Sequence, residues 1–381
     1  MSRVLFYEVR KLAENKIIWI FLVVCLCLNG LIIISEALGY SYPDYVAGYA
    51  KKNGVVINTE HEPPQDDNRY YAEMLQTEID GAYDPYSGYS TDYVGEAYIR
   101  AINYKGVFAD MIRAKYDRLQ TSVDELAGTD APMTLYYAGD TARMHSFIFG
   151  TVMRFLSMEG SVAAALIAML SIATEKNSST ETLVYSSRKG RKLYIYKLAA
   201  SMAVSFIAFA SVAMVTMLLL FIFIPIGPIM GSSVCSVFNY INDYLAGLRP
   251  FVTWQDMTVW QYMLASLGVS VLMVLCACLC GYAAQIICRT TYIAFGVLMI
   301  LTILPMFLAS ISPSGTIIWI LSCLSPVYLW QNLEVWFTDG GGAFVFVNYE
   351  LVGMAFALLT AAVCAAVSII LAKRSDILCE D

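Results

Sequence analysis

The chain has 381 residues, of which 58% are hydrophobic and 14% charged, with a formal net charge of −7. Soluble domains carry about 25% charged residues, so an ordinary cytosolic enzyme and a disordered chain are excluded, and no basic footprint offers a surface to nucleic acid. A polytopic membrane protein remains.

Residues 1–16 open the chain. Val4, Leu5, Val9 and Leu12 recur at helical spacing among Arg3, Glu8, Arg10, Lys11 and Glu14, the pattern of an amphipathic helix lying along a membrane interface. A spanning helix needs about 20 apolar residues. Six windows meet that demand: 17–38, 147–173, 198–224, 259–287, 292–311 and 350–372. Pro305 predicts a kink or interruption in the fifth. A seventh apolar stretch, Thr316–Phe337, is split at Ser325-Pro326 into halves too short to cross. It reads as a hairpin dipping into the outer leaflet within 312–349. The first window reads as a true span and not a cleaved leader, because 1–16 is long and mixed in charge and no clean small-x-small site follows.

Between the first two spans lies 39–145, a polar segment with seventeen acidic residues against nine basic. It opens on a turn-rich stretch bearing Tyr40, Tyr42, Pro43, Tyr45 and Tyr49. Helices are expected over about 67–80 and 92–120, the second with Tyr98, Ile102, Phe108, Ile112, Tyr116 and Leu119 along one face. Asp84-Pro85-Tyr86-Ser87-Gly88 between them is turn chemistry. The tyrosines near 40–49 and 136–137 suit an aromatic belt at the interface, with a tyrosine-lined substrate site as the alternative.

Lysine and arginine asymmetry sets the topology. With six spans and the N-terminus inside, the inner segments 1–16, 174–197 and 373–381 are rich in basic residues. The two later outer loops, 225–258 and 312–349, hold only Arg249. Long segments such as 39–145 translocate largely regardless of charge. Both termini are therefore expected inside. A seventh full span would put Lys373 and Arg374 outside.

Charges within a span are costly and often functional. Arg154 and Glu159 both fall in 147–173. Five residues apart, they are offset by about 140° on a helix and are imperfect mutual partners. Either they line or pair across a path between two subunits, or Arg154 snorkels outward while Glu159 finds a neighbouring helix or stays protonated. Asn29, Gln285 and Glu36 are secondary polar points. Gly160, Ala163, Ala164 and Ala165 permit close helix contact. Cys276, Cys278 and Cys280 lack zinc-site spacing and read as small apolar packing residues. Cys235 and Cys323 fall in or near outer loops, which leaves a bridge between them open. With His61 and His145 the only histidines, a histidine-rich metal site is excluded.

The inner loop 174–197 is the most informative stretch. An acid, Glu175, ends the second span. Ser179 or Thr180 can then cap a short helix over about 178–186, with Glu181 in its first turn. Arg188-Lys189-Gly190-Arg191-Lys192 follows, and Tyr194, Tyr196 and Lys197 lead into the third span. On charge alone this is a solvated loop obeying the positive-inside rule. The order of acid, short helix and basic cluster separates it from one.

That order, Glu-x4-Thr-Glu-Thr-Leu-x-Tyr-Ser-x-Arg-x5-Tyr-x2-Lys, resembles the inner loop of type-2 ABC exporter permeases. Thr182-Leu183 matches the family's Thr-Leu, with Glu181 where glycine is commoner. Ser187-Arg188 matches its Ser-Arg, and Lys197 the later lysine. Leu5, Glu8 and Lys11 resemble the family's elbow helix. The likeness extends to the six-span layout and the outer hairpin. The large segment between spans one and two resembles only a subset of the family.

The resemblance implies an all-α polytopic membrane protein with an interfacial elbow helix and a mainly helical extracytoplasmic domain, in the bacterial plasma membrane. It implies that 178–186 is a coupling helix docking on a separate ATPase subunit. Glu175, Glu181, Arg188 and Lys189 would supply polar contacts there, and Leu183 and Tyr185 an apolar plug. Glu8, Arg10 and Lys11 would brace the same partner. Two ATPase copies carrying ATP and magnesium, a second permease chain and membrane lipid are the implied partners. No cofactor or metal is expected on this chain, and no Gly-x4-Gly-Lys-Ser/Thr occurs in it. An amphipathic cargo, such as an antimicrobial peptide, lipid or hydrophobic drug, is the expected substrate. The alternatives are an ion-coupled secondary transporter, which wants several intramembrane acids and repeated halves, and a membrane-embedded transferase, which wants a His, Asp or Glu cluster at the membrane edge.

Overall fold

A computed structural model describes residues 2–39, 41–58, 69–138, 140–177, 190–243 and 245–374. It is mostly helical. Six helices are long and apolar enough to cross a membrane, and they coincide with the six sequence windows to within a few residues at most ends.

Helix α1 (Ser2–Ala13) precedes the first span, α2 (Lys16–Gly39). The polar layer follows, with α3 (Tyr42–Asn53), α4 (Arg69–Asp80), α5 (Asp92–Ile102) and α6 (Val107–Ala127). A short α7 (Thr141–His145) runs through a π-helical segment, Ser146–Met153, into α8 (Arg154–Asn177), and together these make the second span. The third is α9 (Leu193–Phe223). A small antiparallel hairpin, β1 (Tyr240–Asp243) and β2 (Gly247–Pro250), pairs Tyr240 with Pro250 and Asp243 with Gly247. The fourth and fifth spans are α10 (Val259–Cys288) and α11 (Thr291–Ile311). Two short helices, α12 (Ile317–Cys323) and α13 (Pro326–Gln331), lead to the last span, α14 (Tyr349–Arg374).

The spans are sorted by burial. The most apolar stretch of the second is 67% buried inside the protein, that of α11 only 11%. The second span is therefore the bundle's axis and α11 its lipid-facing edge. Small residues bring the axis close to its neighbours. A β-carbon on Gly281 of α10 would lie 2.8 Å from the Cα and carbonyl oxygen of Ala165 on α8, so those backbones touch. α10 starts on a reciprocal cap: Thr258 Oγ1 accepts from the Gln261 amide, and the Thr258 amide donates to Gln261 Oε1 at 2.9 Å. α11 continues through Pro305 without interruption. The stretch after it does break at Ser325-Pro326, where Ser325 caps α13.

The hairpin of short helices is pinned to the second span. His145 sits between the Tyr136 hydroxyl, 2.9 Å from Nδ1, and the Glu334 carbonyl, 2.8 Å from Nε2. Tyr262 donates to the same carbonyl at 3.0 Å, and Ser146 to the Glu334 carboxylate at 3.0 Å. The π-helical segment starts at that contact, and a β-carbon on its Gly150 would strike the Glu334 carboxylate.

The polar layer differs from the sequence reading in three places. Tyr42–Asn53 is a helix and not a turn-rich stretch, with Pro43 in its first turn, where a missing amide costs nothing. Its tyrosines are core residues: Tyr42, Tyr45 and Tyr49 are buried, as are Tyr136 and Tyr137, so they form no interfacial belt. The expected single helix over 92–120 is two helices. Asn103 and Gly106 adopt positive φ between them, ending one and turning the chain into the next. The β-hairpin adds a strand element to a fold expected to be all helix. The layer is sewn to the loops between the later spans. Tyr86 donates to the carbonyls of Cys235 and Phe251, Ser122 to that of Trp254, and Tyr104 to that of Gly342. Cys235 and Cys323 are separate buried thiols, Cys235 lying 3.1 Å from Thr253 Oγ1.

Candidate functional site

Four of the residues singled out in sequence meet in one place. Glu8 and Lys11 lie three apart on α1 and share a face. Glu175 is near the end of α8, and Lys197 is in the first turns of α9. Lys197 Nζ donates to Glu175 Oε1 at 2.6 Å, to Glu8 Oε2 at 3.1 Å and to the Ser171 carbonyl at 2.5 Å. Lys11 Nζ donates to Glu175 Oε1 at 2.7 Å. Lys197 is fully buried and Glu175 nearly so, while Lys11 closes the cluster from its solvent side. Two acids and two amines balance, which is what lets four charges share a dehydrated site.

The cluster is positioned by an apolar contact beside it. Leu5, Val9 and Leu12 of α1 pack against Ile18, Ile167, Ala200, Val204 and Ala208, so α1 is seated across the ends of three spans. The Tyr282 hydroxyl donates to the Tyr194 carbonyl at 2.5 Å and draws α10 to the same corner. Glu175 and Lys197 flank the connection between spans two and three. The ionic cluster is thus a clasp that closes the base of that connection and ties it to α1.

The remaining sequence candidates fall elsewhere. Arg10 is exposed and pairs at 2.7 Å with Glu14, just past the end of its helix. Thr180, Glu181, Thr182, Leu183, Tyr185, Ser187, Arg188 and Lys189, and with them the expected helix over 178–186, lie outside the described residues. Arg154 and Glu159 do not pair. The Arg154 guanidinium donates to the Gln331 carbonyl at 3.0 Å, and the Trp330 indole donates to the Arg154 carbonyl at 2.7 Å, so Arg154 holds α13. Glu159 turns inward and accepts from Asn29 of α2 at 2.8 Å. The same Asn29 amide donates to Thr216 of α9 at 3.1 Å. Glu36 pairs with Arg143 at 2.8 Å.

Sequence reasoning missed a second ionic cluster, in the polar layer. Lys115 of α6 is buried, and its ammonium donates to three backbone carbonyls, Asp339 at 3.1 Å, Gly341 at 3.0 Å and Phe344 at 2.7 Å. The Asp339 carboxylate accepts from Arg249 at 2.8 Å and from the Tyr116 hydroxyl at 2.5 Å. Tyr98 donates to Asp243, whose carboxylate lies 3.8 Å from Arg249. Burial pulls the Lys115 ammonium down to about 8, although the Asp339 charge supports it. Burial also pushes Asp339 up, but Arg249 and Lys115 outweigh it and hold the carboxyl below its usual range. Gly340 and Gly341 have positive φ, which turns the loop's carbonyls onto the lysine.

Two signals for this cluster were present in the chain. Arg249 is the one basic residue in 225–258 and 312–349, and Lys115 lies on the apolar face of α6, three residues after Ile112 and four before Leu119. Its chemistry is structural: it welds α5 and α6 to the β-hairpin and to the loop entering the last span. Among the described residues no group of three or more His, Cys, Asp or Glu side chains could hold a metal ion. No family model matches the sequence, and no curated protein or solved structure matches it significantly.

Proposed function

We propose that the chain is the membrane permease subunit of an ATP-driven exporter. It moves an amphipathic cargo such as an antimicrobial peptide, lipid or hydrophobic drug, and it is driven by a separate ATPase that grips the connection between spans two and three. In this reading the face carrying α1 is cytoplasmic, both termini lie inside a bacterial plasma membrane, and two permease chains work with two ATPase copies.

The observation that supports the reading best is the clasp of Glu8, Lys11, Glu175 and Lys197. A subunit moved by an external motor needs a stiff connection between the point of grip and the spans. The clasp fastens both ends of the gripped connection to α1, so a force on 178–189 is delivered to α2, α8 and α9 together. Its four charges serve one another, which leaves Arg10 and the 178–189 segment to meet the partner. A cleft between α5 and α6 carries Asp92, Glu96, Asp117 and Arg113; with Arg113 paired to Glu96 at 2.8 Å, Asp92 and Asp117 leave it a net negative charge that suits a cargo with positive charge.

The test is co-purification of the chain with its ATPase from a common membrane, for wild type and for Glu181→Ala and Arg188→Ala. Both substitutions are expected to weaken the complex and to lower the ATP hydrolysis that the chain stimulates. Unchanged binding together with unchanged hydrolysis refutes the coupling assignment.

A further inference from the structure

The polar group in the interior of the bundle is short of donors. Glu159 on α8 is 4% exposed, Asn29 on α2 is 1% exposed and Thr216 on α9 is fully buried. The Asn29 amide spends its hydrogens on Glu159 Oε2 and Thr216 Oγ1. Two acceptor oxygens, Glu159 Oε1 and Asn29 Oδ1, meet no nitrogen or oxygen donor among the described residues. The thiol of Cys25 on α2, a weak donor, lies beside the Glu159 carboxyl.

No cation answers the carboxyl. Glu159 makes no ion pair among the described residues, and Arg154, a turn and a half away, is committed to the Gln331 carbonyl. From α2 the facing groups are Cys25 and Asn29, from α9 Phe209 and Thr216, and from α10 Val274, which packs on Gly160. Glu159 also lines a cavity of about 10 Å³ with Cys25, Ala163, Ala208 and Phe209. That is space for about one water molecule. Apart from Glu159 and Cys25 its walls are apolar, so it lacks the ring of oxygens that a bare metal cation requires.

We propose that Glu159, Asn29 and the cavity beside Cys25 form a buried proton site, in which the Glu159 carboxyl carries one exchangeable proton. The proton removes the uncompensated charge and turns Oε1 from a surplus acceptor into a donor facing the cavity. Asn29 fixes the other oxygen, so the acid is held in one orientation between three spans. The site stands apart from the ATPase reading and does not depend on it.

Infrared spectroscopy of the full chain in lipid nanodiscs tests the site directly. The wild-type minus Glu159→Gln difference at neutral pH is expected to show the carbonyl band of an un-ionised carboxylic acid, shifted in deuterium oxide and identical in sodium and choline chloride. Glu159→Gln, which mimics the neutral acid, is expected to keep the wild-type melting midpoint. Should that variant fail to fold, Asn29→Ala reads the same band, which shifts when its hydrogen-bond donor is removed. A carboxylate band in place of the acid band, or an acid band unmoved by Asn29→Ala, overturns the proposal. So does a sodium-dependent rise in midpoint that Glu159→Gln abolishes, because the occupant is then a metal cation.

Discussion

Lys197 is the residue through which Glu8 and Glu175 are joined, because it alone touches both acids of the clasp. Removing one partner from a buried ionic group leaves an uncompensated charge and costs about 3–5 kcal/mol. Lys197→Met leaves two carboxylates against one ammonium and is expected to lower the thermal midpoint in detergent sharply. Adding Glu175→Gln restores neutrality, with Glu8 and Lys11 left as one acid and one base. The double variant should therefore recover much of the loss, and a double-mutant cycle measures the coupling. If the two losses simply add, the pair seen between Lys197 and Glu175 contributes nothing. Lys115 makes a second case at this scale. Burial lowers its folded value to about 8 from the 10.5 of a free lysine. Between those values the unfolded chain binds a proton that the folded chain has released, so stability rises with pH across that window. Below it, both states are protonated and the penalty is constant. Melting curves for wild type and Lys115→Met, taken from pH 7 to 10.5, should diverge in slope only above about 8. Parallel curves would show that the ammonium is not dehydrated as described.

At the scale of elements, contact distance is what separates one glycine from another. Gly281 and Gly268 lie in the same span, α10. A β-carbon at Gly281 meets the Ala165 backbone, and one at Gly268 meets nothing within 4 Å. Gly281→Ala forces two helices apart and is expected to cost about 1–3 kcal/mol. Gly268→Ala should be neutral or stabilising by up to about 1 kcal/mol, since alanine favours the helix. Equal midpoints for the two variants would mean that α8 and α10 are not in backbone contact. The same scale shows what the chain discloses in advance. The six spans follow from run length alone, because burying a backbone in lipid leaves no other solution. The break at Ser325-Pro326 is equally plain. Helix α3 is hidden because its proline and tyrosines are also the residues of turns and membrane belts, and only packing decides between them. The split between α5 and α6 is signalled by Asn103 and Gly106, yet the apolar face continues across it and masks the turn. At the clasp, the residue types and their places beside the spans are legible. Their convergence is not, since Glu8 and Lys197 meet only after α1 folds back over the bundle.

For the molecule as a whole, the two ionic clusters sit at opposite ends of the spans and divide the work between them. The cluster of Lys115, Arg249 and Asp339 fixes the polar layer to the loops that enter α10 and α14. The clasp fixes α1 to α8 and α9 at the other end. The two clusters thus tie α8 and α9 at one end and the approaches to α10 and α14 at the other, while α11 is held by neither. Under the proposed exporter reading, stiffness at the clasp is then separable from affinity for the ATPase. The Lys197→Met, Glu175→Gln double variant keeps a neutral, packed corner and leaves 178–189 unaltered. It should bind the ATPase as wild type does, while cargo export into inverted vesicles falls several-fold and stimulated ATP hydrolysis falls with it. Loss of binding would instead place the partner's contact on the clasp itself. Full export with a slackened clasp would mean that force reaches the spans by another route, through α10 and its Tyr282–Tyr194 contact, and Tyr282→Phe in the same background would then be the variant that stops it.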